Sequence, residues 1–396
     1  MKLPISRYCQ WARAMFGFAI VVAANTSYGA DWIISGNDAK YQRVEGLDTY
    51  PENPKSDTLT LLDASHFPPR VERQVEVENG VQGPPQAVAI TPDATIALVG
   101  APTRYDHANS QLLMDTFVQV VDLKKREPTV VRIEVGSHPQ GIAVNRAGSL
   151  ALVACVDGSV VQLRIEGTHV SLAASLRVGQ KRLAGVSFTH DGRHALVALR
   201  DEQGVAVLDV ADDKVTDSGL RLSSGVAPYT VDVSSDGNWA VVSDVGLAGL
   251  PSYRGTWVGD SDTVTLIDVS HEPFRAVQHV SVPSLPEGVA ISADGKWIGV
   301  QSMDGSNLRA GNPGRRAQGK IVLFAIRDGR AVNVAEVAGG QASQGIVFTA
   351  DSKYLIVQYN VEKQLAIFDV NGGNLRDTGQ RIALSGGPSS IRTTPR

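Results

Sequence analysis

Seven positions in this 396-residue chain share one local setting, just after a proline or its counterpart in a recurring phrase. They read Gln86, Gln140, Ala184, Tyr229, Glu287, Gln344 and Ser389. If the fold gathers them, they make an amide-lined ring with a single carboxylate. Glu287 is then the candidate general base, because a lone carboxylate in a narrow, poorly solvated site has a raised pKa and can accept a proton near neutrality. The alternative is structural, with these side chains tying neighbouring loops together or holding channel water. A second group lies in four long connections, over residues 37–56, 102–115, 246–262 and 303–318. It includes Lys40 and Tyr41, then Arg104, Tyr105 and His107, then Arg254 and Trp257, and finally Arg309, Arg315 and Arg316. Guanidinium and aromatic groups converging on one mouth suit an anionic or hydroxylated organic ligand. The same loops could instead cover the fold or contact a protein.

What must position these residues is a repeat. The phrase runs from a turn cluster through four alternating residues and a Pro/Ala-Asp-Gly type turn into a short apolar strand. Examples are Pro85-Gln86-Ala87-Val88-Ala89-Ile90, Pro139-Gln140-Gly141-Ile142-Ala143-Val144 and Pro286-Glu287-Gly288-Val289-Ala290-Ile291. Measured at the small residues 87, 141, 185, 230, 288, 345 and 390, the steps are 54, 44, 45, 58, 57 and 45. Seven copies at that spacing predict an all-β fold, a seven-bladed β-propeller of four-stranded antiparallel blades. Each blade has two apolar faces that only its neighbours can cover. In a typical unit, strand A spans residues 141–144, B 150–156, C 159–165 and D 170–178. The last copy offers only strand A, at residues 390–394. Its partners are expected at the other end of the chain, over residues 32–35, 58–63 and 71–77, so that no sheet edge is left open. The D-to-A and B-to-C connections of a propeller share one face, which holds all the candidates above.

Composition narrows the function further. Residues 1–30 have a secretory signal layout, with Arg7 and Arg13 before the apolar run 14–24 and small residues after it. The run is too short to span a membrane. A single propeller domain over residues 31–396 is therefore expected, periplasmic or secreted. Loss of Lys2, Arg7 and Arg13 would take the net charge from −4 to −4 − 3 = −7, a poor balance for binding nucleic acid or anionic membrane. Cys155 would be the only cysteine left, in an apolar run where an inert buried thiol is expected. Residues 314–320 have phosphate-loop spacing, but Ile321 stands where Ser/Thr would bind magnesium. The recurrent acids Asp63, Asp122, Asp209, Asp268 and Asp369 read as turn caps. His190 and His194 flank a turn, and His138 precedes a proline on the candidate face. No metal site or cofactor is expected.

The phrases at 139–144 and 286–296, with Thr263-Val264-Thr265-Leu266-Ile267-Asp268-Val269, resemble the YVTN-type β-propeller repeat. The resemblance covers nearly all of residues 31–396. It extends to the lactonase-like superfamily of 6-phosphogluconolactonase-like and carboxymuconate-cyclising enzymes. It implies the seven-bladed fold. Enzymes of the phosphogluconolactonase type tend to carry Pro-Arg-His at the loops where this chain has Gln86-Ala87, Gln140-Gly141, Tyr229-Thr230, Glu287-Gly288 and Gln344-Gly345. The expected function is an exported propeller whose long-loop face binds a small organic ligand, anionic or hydroxylated, or a periplasmic partner protein. One alternative is a metal-independent lactone hydrolase or cycloisomerase using Glu287 as base, with Arg254, Arg104 or Arg309 holding a carboxylate. Another is an accessory subunit of a periplasmic redox enzyme.

Overall fold

Each repeat folds as an antiparallel four-stranded sheet, and the computed structural model, which describes residues 31–249 and 261–396, contains seven of them. Blade 3 shows the pattern, with strands Pro139–Val144, Leu150–Cys155, Ser159–Glu166 and His169–Arg177. Its second strand is buried along its whole length, while the fourth is largely exposed. This is the gradient expected of a blade whose inner strands are packed on both faces. Blade 2 begins at Val88–Ile90, and blades 4 to 7 begin at Val186–Phe188, Pro228–Val233, Pro286–Ile291 and Ile346–Phe348. The N-terminal 30 residues lie outside the described residues, as do Arg254 and Trp257.

The ring closes as the repeat requires. Gly387–Thr393 pairs with Trp32–Asp38, followed by Asp57–Asp63 and Arg70–Val77, so blade 1 is built from both ends of the chain. Its inner strand contacts those of blades 2 and 7. Apolar clusters fill the seams between blades. Ile96, Leu98 and Val118 of blade 2 pack with Ile142, Val153 and Leu163 of blade 3, all buried. Each such side chain contributes about 1.5–3 kcal/mol relative to exposure.

A Ser/Thr-x-Asp turn follows the inner strand of every blade except blades 1 and 3, and its hydrogen bonds explain why it recurs. In blades 2, 4, 5, 6 and 7 the hydroxyl donates to the aspartate two residues on, as in Thr189 to Asp191 at 2.6 Å. It also accepts the N–H that opens the second strand, as from Trp239 to Ser234 at 2.9 Å. At Asp191 partial burial pushes the pKa up, but hydrogen bonds from Thr189 and Arg193 outweigh it and hold the carboxyl at about 2. Asp63, Asp122 and Asp268 cap turns by accepting backbone N–H groups.

The small residue of the motif has its own cause. Gly141 and Gly185 donate backbone N–H bonds to Ala184 and Tyr229 of the next blade, at 3.1 and 2.7 Å. A Cβ on Gly185 would lie 2.5 Å from the Tyr229 carbonyl oxygen and from Gln86 Oε1. Two outcomes follow. Gly185→Ala will lower stability by about 1–3 kcal/mol through overpacking, read as a shift of the urea unfolding midpoint. Removing residues 389–396 will abolish the single cooperative thermal transition followed by circular dichroism, whereas an unchanged transition would contradict closure by the C-terminal strand.

Candidate functional site

The ring of motif residues divides into two layers. Gln86 of blade 2 crosses the central channel to blade 5, donating from Nε2 to the Val231 carbonyl at 2.6 Å and accepting its N–H at 3.0 Å. Arg392 of blade 1 crosses as well, donating to Val186 O at 2.9 Å and Ser187 Oγ at 3.0 Å, with Asp232 3.6 Å away. These two side chains occupy the channel axis. Above them, on the face of the D-to-A and B-to-C loops, lies a cavity of about 720 Å³.

Glu287 lines this cavity together with Tyr229, Gln344 and Arg309. Its main chain is fixed by Thr230, whose hydroxyl donates to the Glu287 carbonyl at 2.6 Å. Its side chain is not fixed, and Oε2 is buried without a hydrogen-bond partner. Burial raises the carboxyl from 4.5 to about 7, and Arg200, Arg43 and Arg182 only partly offset the loss of hydration. The carboxylate thus faces the cavity with proton affinity close to neutrality.

Several of these cations were not singled out in the sequence. Arg200, buried at 5% exposure, sits with its guanidinium 5.4 Å from the Tyr229 ring centroid and pairs with Asp201 at 2.7 Å. Arg182 donates from Nε to Gln140 Oε1 at 2.9 Å, while Gln140 Nε2 donates to Gln82 O at 3.1 Å. Gln140 therefore braces a cavity arginine and is itself fully buried. Arg43 comes from a hairpin, Gln42–Val44 with Leu47–Thr49, inside the first long connection. Asp48 accepts from Arg43 at 3.0 and 2.8 Å and from the Tyr41 hydroxyl at 2.8 Å. Arg315 and Arg316 complete the wall from the connection before Lys320–Arg327 and pair with Glu45 and Asp304 at 2.8 and 3.2 Å. Among the described residues six arginines and three acids (Asp48, Glu287 and Asp304) line the cavity, with Glu45 and Asp201 paired to two of those arginines, so an excess of positive charge remains.

The second long connection forms a separate cluster. It folds as a hairpin, Thr103–Asp106 with Gln111–Met114. There Arg104 binds Asp115 at 3.1 Å, Tyr105 stacks on Tyr50 at a centroid distance of 4.0 Å, and His107 meets Tyr105 edge-on at 4.9 Å. None of the three lines the cavity. His138 is buried, with Nδ1 2.9 Å from Asp115 O, and burial lowers its pKa. Residues 314–319 lead into a strand, not a helix. Among the described residues no group of three or more His, Cys, Asp or Glu side chains is placed to hold a metal. Burial pushes the Cys155 thiol up to about 12.

No family model matches the chain, and no curated protein matches it. Solved structures do. A putative 6-phosphogluconolactonase from Bacteroides uniformis superposes with a TM-score of 0.67 at 14% identity, covering 92% of this chain and 99% of that one. The periplasmic gluconolactonase of Pseudomonas aeruginosa gives 0.65 at 17% identity over 92% and 99%. This is the lactonase-like seven-bladed propeller fold. Kuenenia stuttgartiensis hydrazine synthase is also similar, with a TM-score of 0.58 at 18% identity over 80% of this chain and 91% of that one. At these identities the likeness extends to the fold alone.

Glu287 carries a pH signature. Below pH 4.5 folded and unfolded chains both hold its proton, and burial costs nothing. As pH rises the unfolded chain ionises first, so the cost grows up to about pH 7 and persists above it. Glu287→Gln is therefore expected to leave stability unchanged near pH 4 and to raise it by about 1–3 kcal/mol at pH 8, measured by urea unfolding across that range.

Proposed function

We propose that the cavity binds a small organic anion, a carboxylate or phosphate of sugar-acid size. The observation that carries this reading is the arginine excess around a concave site. Planar guanidinium forks bind carboxylate and phosphate oxygens in pairs, and their charge gain is greatest where water is partly excluded. Export to the periplasm belongs to the same proposal. It is supported by the signal layout of the first 30 residues and by the periplasmic gluconolactonase among the structural neighbours.

A second reading is favoured by the unpartnered Oε2 of Glu287. A carboxylate with a pKa near 7 beside three arginines is suited to hydrolyse a lactone. Glu287 would take a proton from water as the water oxygen bonds to the lactone carbonyl carbon. The arginines would stabilise the oxyanion that forms. The ring acyl–oxygen bond would then break, and the proton would pass to the departing alkoxide, giving a hydroxy acid with no net change at Glu287. The lactonase-like neighbours support this alternative.

Calorimetric titration with aldonate, aldarate and sugar-phosphate anions tests the first reading. Binding that weakens about tenfold in Arg309→Gln or Arg182→Gln is expected for a direct charge-assisted contact. A panel that yields no binding at 0.15 M salt would refute it. For the second reading, the measurement is turnover of a lactone panel. Activity lost in Glu287→Gln supports it, and activity that survives the substitution rules out Glu287 as the base.

A further inference from the structure

The hairpin that delivers Arg43 does not simply rise from blade 1. Its turn, Glu45-Gly46, has φ of 51° and 77°, the left-handed pair that suits a two-residue hairpin turn. The tip reaches past blade 7 to the long connection of blade 6. The Ala310 N–H donates to the Glu45 carbonyl at 3.1 Å, and Arg315 Nη1 lies 2.8 Å from Glu45 Oε2. Gly46 sits so close to Leu308 that a Cβ would meet its carbonyl oxygen at 2.3 Å. Gly46 and Leu308 both line the cavity, so the hairpin tip and the long connection meet at its wall.

The hairpin is anchored unequally at its two ends. Its root holds a buried cluster in which Lys40 Nζ contacts Asp38 and Asp57 at 3.1 and 2.6 Å. At the tip the Glu45 side chain is 67% exposed. An ion pair in that setting is weak and screened by salt. The tip is held by this pair, one backbone hydrogen bond and the contact of Gly46 with Leu308, so it has fewer ties than the root. Arg43, halfway along and clamped to Asp48, must move with it.

We propose that Glu45 is a positioning residue. By latching the hairpin tip to Ala310 and Arg315 it holds Arg43 over Glu287 and closes the cavity mouth, so that ligand passes only when the latch releases. The inference rests on the reading of the cavity as an anion site, but the latch can be read without any ligand. Glu45→Gln removes the charge and keeps the backbone bond, whereas the double exchange Glu45→Arg with Arg315→Glu reverses the pair.

The experiment is hydrogen exchange by mass spectrometry on the full chain, followed over residues 42–49 and 303–318. In Glu45→Gln exchange is expected to quicken about twofold to fivefold in both segments and nowhere else, with protection restored in the double exchange. Unchanged exchange in Glu45→Gln, or a change confined to one segment, would overturn the latch. The companion readout is the pH dependence of unfolding. Burial and the charges of Arg200, Arg43 and Arg182 together set the Glu287 midpoint near 7, so a freed hairpin, which withdraws one cation and admits water, moves that midpoint. A merely structural role for Glu45 would leave that midpoint in place. Stopped-flow binding of citrate closes the test, with association and dissociation both faster in Glu45→Gln. If exchange responds as expected and neither citrate nor the anion panel binds, the ligand reading falls while the latch stands.

Discussion

The structure depends on how closely neighbouring inner strands approach at the axis. Where Gly185 meets Tyr229, the N–H of one blade reaches the carbonyl of the next with no room for a side chain. That contact sets the radius of the ring, and the radius sets what the channel can hold. At this radius a single glutamine can reach the far wall, and Gln86 does. Glu287 lies apart from this crossing, in the cavity among the loops.

Burial dominates the electrostatics of the cavity. Glu287 loses most of its hydration, and three arginines do not restore it, so its proton affinity rises towards neutrality. Each of these arginines also has a partner of its own: Asp201 accepts from Arg200, Asp48 from Arg43 and Gln140 from Arg182. A closer approach of any of them to Glu287 would lower its carboxyl pKa.

Much of the fold was legible because it is periodic. The spacing of the motif, the small residue at the axis and the missing strands of the last copy all have causes within one repeat and its neighbour. The site was less legible because its contacts cross the ring. Gln86, Gln140 and Gln344 occupy equivalent motif positions, yet one spans the channel, one braces an arginine and one lines the cavity. What each meets depends on the opposite blades, which local sequence does not encode. Arg182 and Arg200 sit in short connections that carry no signal of their own, and Arg43 follows the better-marked Lys40 and Tyr41. Tyr105 stacks on Tyr50 and His107 meets Tyr105 edge-on, which draws both into a different cluster.

The crossing side chains have a mechanical consequence. Gln86 ties blade 2 to blade 5 and Arg392 ties blade 1 to blade 4. Blades that share no seam are thereby joined through the middle, so the ring is braced across its diameter as well as around its circumference.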